Sequence, residues 1–115
     1  MIPGFEDYTV DLKREDIKIA HAIAKGLKKR IGKDNAIKNY QISKAMKDWN
    51  GEKLSSAKIR KIIQYIRSKH LCLRLCASSK GYYIAETNEE WEEYKKGFKS
   101  RLSSMIFTYE SMMKE

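Results

Sequence analysis

Ser55-Ser56-Ala57-Lys58-Ile59-Arg60-Lys61-Ile62-Ile63-Gln64-Tyr65-Ile66-Arg67-Ser68-Lys69 is the stretch from which the rest of the chain can be read. Its isoleucines stand at 59, 62, 63 and 66, the spacing that lines one narrow face of an α-helix. Ser55 is a good N-cap, since its hydroxyl can accept from a free N–H of the first turn. On a helical wheel Ala57, Lys61, Gln64 and Ser68 fall opposite the isoleucines, with Lys58, Arg60, Tyr65 and Arg67 on the flanks. Such a helix buries its oily face and offers a cationic one.

Downstream of His70 the period changes from 3.6 to 2. Leu71, Leu73, Leu75 and Ala77 are predicted to point one way along a strand, and His70, Cys72, Arg74 and Cys76 the other. Ser78-Ser79-Lys80-Gly81 reads as a compact polar turn and Tyr82-Tyr83-Ile84-Ala85 as the returning strand of a β-hairpin with a basic tip. Thr87-Asn88-Glu89-Glu90 supplies a capping box for a last helix from Glu89 to Lys114, about 26 residues and roughly 39 Å long.

Upstream, a helix is predicted from near Arg14 to Gly32, with Ile17, Ala20, Ala24, Leu27 and Ile31 inward and Ile23 widening the stripe. Glu15 and Asp16 in its first turn and Lys28, Lys29 and Arg30 in its last suit the helix dipole. His21, among alanines, reads as a half-buried filler. An extended piece, Ala36-Ile37-Lys38, precedes a second helix. Asn39 is its expected cap, Ile42, Ala45, Met46 and Trp49 its buried face, and Asn50-Gly51 the turn that ends it. Residues 1–12, with Phe5, Tyr8, Val10 and Leu12 alternating after Pro3-Gly4, form a separate arm or edge strand. The expected organisation is an arm (1–12), a domain (13–87) and a terminal helix (88–115).

The 115 residues fit one small domain and carry a formal charge of +9. That charge is localised: residues 1–12 carry −3, residues 13–80 carry +14, residues 81–85 are uncharged and residues 86–115 carry −2. A concentrated basic surface attracts polyanions, although a lysine-rich solvated surface has the same composition. No apolar run approaches the roughly 20 residues of a membrane span, and the N-terminus lacks the order of a secretory signal. Two cysteines cannot build a disulfide framework and no N-glycosylation sequon occurs, so a reducing cytoplasm is expected, that of a bacterial host if the chain is phage-encoded.

The order helix, short strand, helix, turn, helix, hairpin, helix is that of a winged helix-turn-helix. From about residue 37 to 94 the chain resembles that superfamily, most of all the small winged-helix proteins of phages and other mobile elements. The resemblance rests on Ile42-Ser43-Lys44-Ala45-Met46, on Leu54-Ser55-Ser56-Ala57-Lys58-Ile59-Arg60-Lys61-Ile62-Ile63, and above all on Ser78-Ser79-Lys80-Gly81-Tyr82-Tyr83-Ile84-Ala85-Glu86-Thr87 followed by Glu89-Glu90 and an aromatic. The linker from Lys47 to Lys53 is longer than a tight helix-turn-helix turn. The fold this implies is mainly α with a small hairpin and a long C-terminal helix. The resemblance further implies that the third helix enters the major groove of double-stranded DNA. Ala57, Lys58, Arg60, Lys61, Gln64, Arg67 and Ser68 would then face bases and backbone, Lys, Arg and Gln being the residue types that read base edges. Ser55 and Ser56 stand at a helix N-terminus suited to phosphate, and Ser79 and Lys80 at the hairpin tip can reach the backbone. Lys25, Lys28, Lys29, Arg30 and Lys33 either extend the phosphate track or serve the dipole of the first helix.

Trp91, Phe98, Met105 and Met112 recur every seven residues along the last helix, with Tyr94, Leu102 and Tyr109 between them. This pattern predicts a homodimer through that helix, or else a helix folded back over the first one and the N-terminal arm.

Catalytic and metal patterns are weak. His70, Cys72 and Cys76 share a predicted strand face, but strand positions four apart are about 13 Å apart, too far to grip one ion. Ser55-Ser56-Ala57-Lys58 matches the Ser-x-x-Lys of penicillin-binding enzymes without their other motifs, and no Walker loop, dinucleotide fingerprint or His-Glu-x-x-His occurs. Neither an enzyme nor a cofactor is expected. The leading expectation is a double-stranded DNA-binding regulator or replication accessory. The alternative is a protein-interaction module, an anti-repressor or inhibitor, whose basic surface meets an acidic partner.

Overall fold

Isoleucines at helical spacing followed by a short strand repeat build a helical body with one hairpin, and the computed structural model, which describes residues 12–115, has that architecture. Its elements are α1 (Arg14–Leu27), a 3₁₀ turn (Lys33–Asn35), α2 (Asn39–Asn50), α3 (Ser56–Ser68), β1 (Leu75–Ser78), β2 (Gly81–Ile84) and α4 (Asn88–Met113). The fold is mainly α with a small antiparallel hairpin and a long C-terminal helix, as the sequence led one to expect. The arm expected over residues 1–12 lies outside the described residues, apart from Leu12.

The four isoleucines of α3 are buried and form the centre of the core with Ile19, Ile23 and Leu27 of α1, Ile42 of α2, and Leu54, Cys72 and Leu75. Burial of each such side chain contributes about 1.5–3 kcal/mol, so α3 is fixed in rotation chiefly by this face. Ser55 caps the helix, its Oγ accepting from the Lys58 N–H at 3.1 Å.

β1 and β2 pair from Leu75 opposite Ile84 to Ser78 opposite Gly81. The extended piece at Ile37 adds to β2: its N–H donates to the Tyr82 carbonyl at 2.9 Å and its carbonyl accepts from the Tyr82 N–H at 2.8 Å. Gly81 makes this contact possible. Its φ is +118°, and a Cβ there would lie 2.3 Å from the Ile37 carbonyl oxygen.

Several local expectations are corrected. α1 ends at Leu27, well short of Gly32. The Arg30 carbonyl accepts from the Ile84 N–H and the Gly32 N–H donates to the Ile84 carbonyl, so sheet pairing captures the backbone that helix would otherwise use. Lys28, Lys29 and Arg30 therefore follow the helix, and Ile31 is exposed. Ile19 takes the core place expected of Ile17, which is half-buried, and His21 is exposed. Asn39 is the first residue of α2, not its cap; Lys38 holds the cap position and donates its N–H to Gln41 Oε1 at 2.9 Å.

Only Ile42 of the expected face of α2 is buried. Met46 is half-buried, while Ala45 and Trp49 are exposed, Trp49 to 60%. The Ser43 Oγ donates to the Leu54 carbonyl at 2.9 Å, fastening α2 to the chain that enters α3, and Met46 packs on the edge of the core.

The strand begins at Leu75, not Leu71. Left-handed backbone at His70 (φ 55°) and Arg74 (φ 59°) breaks the alternation, so Leu73 is 69% exposed while Cys72 and Cys76 turn inward. The Cys72 thiol donates to the Ala24 carbonyl of α1, fixing this loop to the body.

Thr87 caps α4, its Oγ1 accepting from the Glu90 N–H at 3.1 Å. Glu90 returns the bond to the N–H of Glu86, one residue before the cap. Trp91 and Tyr94 lean on a small cluster of Cys76, Tyr83 and Ala85. From Lys95 to the end every residue is exposed, so α4 projects from the body and does not fold back along α1. The molecule is 50 Å along its longest axis and 22 Å along its shortest. No helix among the described residues is long and apolar enough to cross a membrane.

Candidate nucleic-acid interface

Because the isoleucine face is sealed, the opposite face of α3 points outward. Ala57, Arg60, Gln64 and Ser68 are exposed there, and Lys61 is half-buried beside them. No acidic residue occurs in the helix. The described part of the chain leaves this face open.

The flanking cations are more engaged. Lys58 donates to Asp16 Oδ2 at 2.9 Å, which turns its charge partly towards α1. Burial raises the Asp16 carboxyl, but hydrogen bonds from Lys58 and from the Lys13 N–H outweigh it and hold the group below the usual carboxylate range. Arg67 donates to the Leu75 carbonyl at 3.2 Å and to the Tyr94 hydroxyl at 3.0 Å, so it braces α3 against β1 and α4. Tyr65 packs on the core. The Ser68 hydroxyl donates to the Tyr65 carbonyl one turn back. Arg60 and Arg67 lie near Tyr82 of the hairpin. Burial raises the Tyr82 phenol, and the positive charges of Arg67 and Arg60 act in the opposite sense.

The hairpin tip is the two-residue turn Ser79-Lys80, both exposed, with Ser78 Oγ accepting from the Lys80 N–H. The Lys80 ammonium lies 3.2 Å from Asp34 of the 3₁₀ turn in an exposed pair of small energetic weight. Lys25, Lys28, Lys29, Arg30 and Lys33 are all exposed: Lys25 lies in the last turn of α1, Arg30 is held by its carbonyl against Ile84 of β2, and Lys33 adjoins Asp34, the residue that Lys80 of the hairpin tip contacts.

One part of the surface was not legible in the sequence. Between the N-termini of α2 and α3 and the hairpin lies an open cleft of about 370 Å³, walled by Lys38, Asn39 and Tyr40 on one side and Ser56, Ser79 and Tyr82 on the others. Asn39 Oδ1 is buried and has no hydrogen-bond partner. The cleft joins Ser56 to Ser79, two residues singled out separately from the sequence. The signal was the bridge from Ile37 to Tyr82, which a single extended residue does not announce.

Among the described residues no three His, Cys, Asp or Glu side chains come together, and burial raises both the Cys72 and Cys76 thiols, disfavouring the reactive thiolate.

Of the residues expected to pair two copies, Trp91 and Tyr94 are half-buried against the body, whereas Phe98, Leu102, Met105, Tyr109 and Met112 are exposed. No protein-family model, curated protein or solved structure matches the chain.

Proposed function

We propose that this chain is a winged helix-turn-helix protein of a phage or mobile element that binds double-stranded DNA, regulating transcription or assisting the start of replication. α3 reads the major groove through Lys61 and Gln64, with Arg60 beside them. The hairpin serves as the wing, with Ser79 and Lys80 on the backbone, and α4 pairs two copies. The observation that carries this reading is the outward face of α3: four isoleucines lock it in place, its exposed side carries cations and an amide, and it holds no acid. Supporting it, the cleft beside the hairpin gathers Lys38, Ser56 and Ser79 next to two helix N-termini, where backbone N–H groups favour phosphate.

The test is selection of bound fragments from random duplex DNA, repeated across salt concentrations. The expected result is affinity falling steeply with salt, Lys61→Ala and Gln64→Ala altering the selected sequence, and Lys29→Ala weakening all sequences alike. Unchanged selection by both α3 variants would remove the reading.

A further inference from the structure

Between the end of α3, the loop after it and the first turns of α4 runs a mainly apolar groove of about 600 Å³. Leu73, 69% exposed, and the rings of Trp91 and Phe98 form its floor, and Arg67, Arg74 and Lys99 stand on its rim. Leu102 closes it and also opens a second apolar strip that continues through Met105, Tyr109 and Met112. Groove and strip are thus one surface along one side of α4. Phe98, Leu102, Met105, Tyr109 and Met112 alternate spacings of four and three, the seam of a two-helix pair. Beside the seam, the hydroxyls of Thr108 and Ser111 donate to the carbonyls of Ser104 and Phe107, so they present carbon rather than free donors to a neighbour.

From this surface we infer that the occupant is a second copy of α4 running antiparallel, so that the C-terminal third of each helix covers the groove of the other. The inference rests on the pairing of two copies proposed above and adds its direction. Charge decides between directions. Among the described residues Arg67, Arg74 and Lys99 have no carboxylate partner; Lys95 is paired with Glu92 at 2.8 Å. The C-terminal third carries Glu110 and Glu115 against one cation, Lys114. A parallel pair sets both cationic rims face to face and leaves those acids opposite their own copies. An antiparallel pair with Leu102 opposite Met105 of the second copy places Phe98 opposite Tyr109 and Lys95 opposite Met112. Glu110 then falls beside the second copy's Lys99, and Glu115 comes to the rim formed by Arg67.

The contact would run for about 27 Å, 18 residues at 1.5 Å each, and would set the two Trp91 positions about 38 Å apart along the pair. That separation is on the scale of one DNA turn, about 34–36 Å, the spacing that paired half-sites require.

Cysteine cross-linking of the full chain under mild oxidation reads the direction. Phe98→Cys and Tyr109→Cys proteins, each alone, are expected to remain uncross-linked, because like positions sit about 16 Å apart along the axis. An equimolar mixture of the two is expected to yield the disulfide-linked dimer. Wild-type protein, whose cysteines are buried, gives the background. A spin label on Lys114→Cys, outside the seam, provides a second reading: about 31 Å between labels if antiparallel, and a short distance if parallel. Self-cross-linking of Phe98→Cys, or a short distance between labels, overturns the antiparallel arrangement while leaving pairing intact. A monomeric mass by light scattering overturns pairing itself. Duplex binding by α3 is assayed separately, so neither result is confused with failure of the DNA reading.

Discussion

The Lys58 ammonium lies 2.9 Å from the Asp16 carboxylate, joining the first turn of α3 to the first turn of α1. Among the described residues Asp16 is the one buried charged side chain, and it also accepts from the Lys13 N–H at 3.0 Å. One carboxylate thus caps α1, positions α3 and draws on a cation of the proposed DNA face.

Replacing it should separate these roles. Asp16→Asn is expected to cost roughly 1–3 kcal/mol of stability, the range for a buried charge-assisted hydrogen bond. At the same time it frees Lys58, so duplex affinity at low salt should rise and the salt slope should steepen by about one. Urea denaturation and a salt series of DNA titrations check the two effects; weaker DNA binding by a folded Asp16→Asn protein would contradict the assignment.

Acid should act through the same group. Because the folded Asp16 titrates below its unfolded value near 3.9, its stabilisation is fully present above that value and disappears as pH falls through the lower folded one. Denaturation midpoints measured between pH 5 and 2 should fall more for wild type than for Asp16→Asn.

Two substitutions distinguish core from surface. Ile62→Ala, at a fully buried position, should cost about 2–5 kcal/mol. Trp49→Ser, despite the size of the ring, should stay within about 0.5 kcal/mol, since α2 leaves Trp49 in solvent. Thermal or urea unfolding followed by circular dichroism measures both.

Gly81→Ala should destabilise the hairpin by roughly 2–4 kcal/mol, combining strain at positive φ with overlap on the Ile37 carbonyl. Hydrogen exchange at the Ile37 and Tyr82 amides should accelerate first, because those two bonds bear the overlap directly.

Met105→Glu tests the projecting helix. Met105 is 61% exposed and lies beyond every contact with the body, so helical content and body stability should be unchanged. Light scattering is expected to show the mass fall from dimer to monomer; an unchanged dimeric mass would place the pairing surface elsewhere.

The elements most legible in the sequence were those with a single dominant cause. The isoleucine stripe of α3 and the Thr87 cap of α4 sit within a residue or two of expectation because local spacing and capping decide them. Misreadings arose where tertiary contact overrode local preference. Ile31 continues the period of α1, yet Ile84 captures the backbone on either side of it. Leu71 and Leu73 continue the alternation of β1, yet left-handed residues at 70 and 74 cut it short. For the candidate site, composition identified the outward face of α3, while the carboxylates that hold Lys58 and Lys80 come from 42 and 46 residues away and leave no local trace.

The hydrogen bond from Ser43 to the Leu54 carbonyl closes off the segment between them, and buried Leu54 anchors its far end. That clasp, with Ile42 in the core, ties α2 to the start of α3 independently of how many residues bridge them. Chain inserted next to the left-handed Gly51, where nothing crowds the backbone, should be accommodated as a loop, making this the natural place to graft a tag or a reporter peptide.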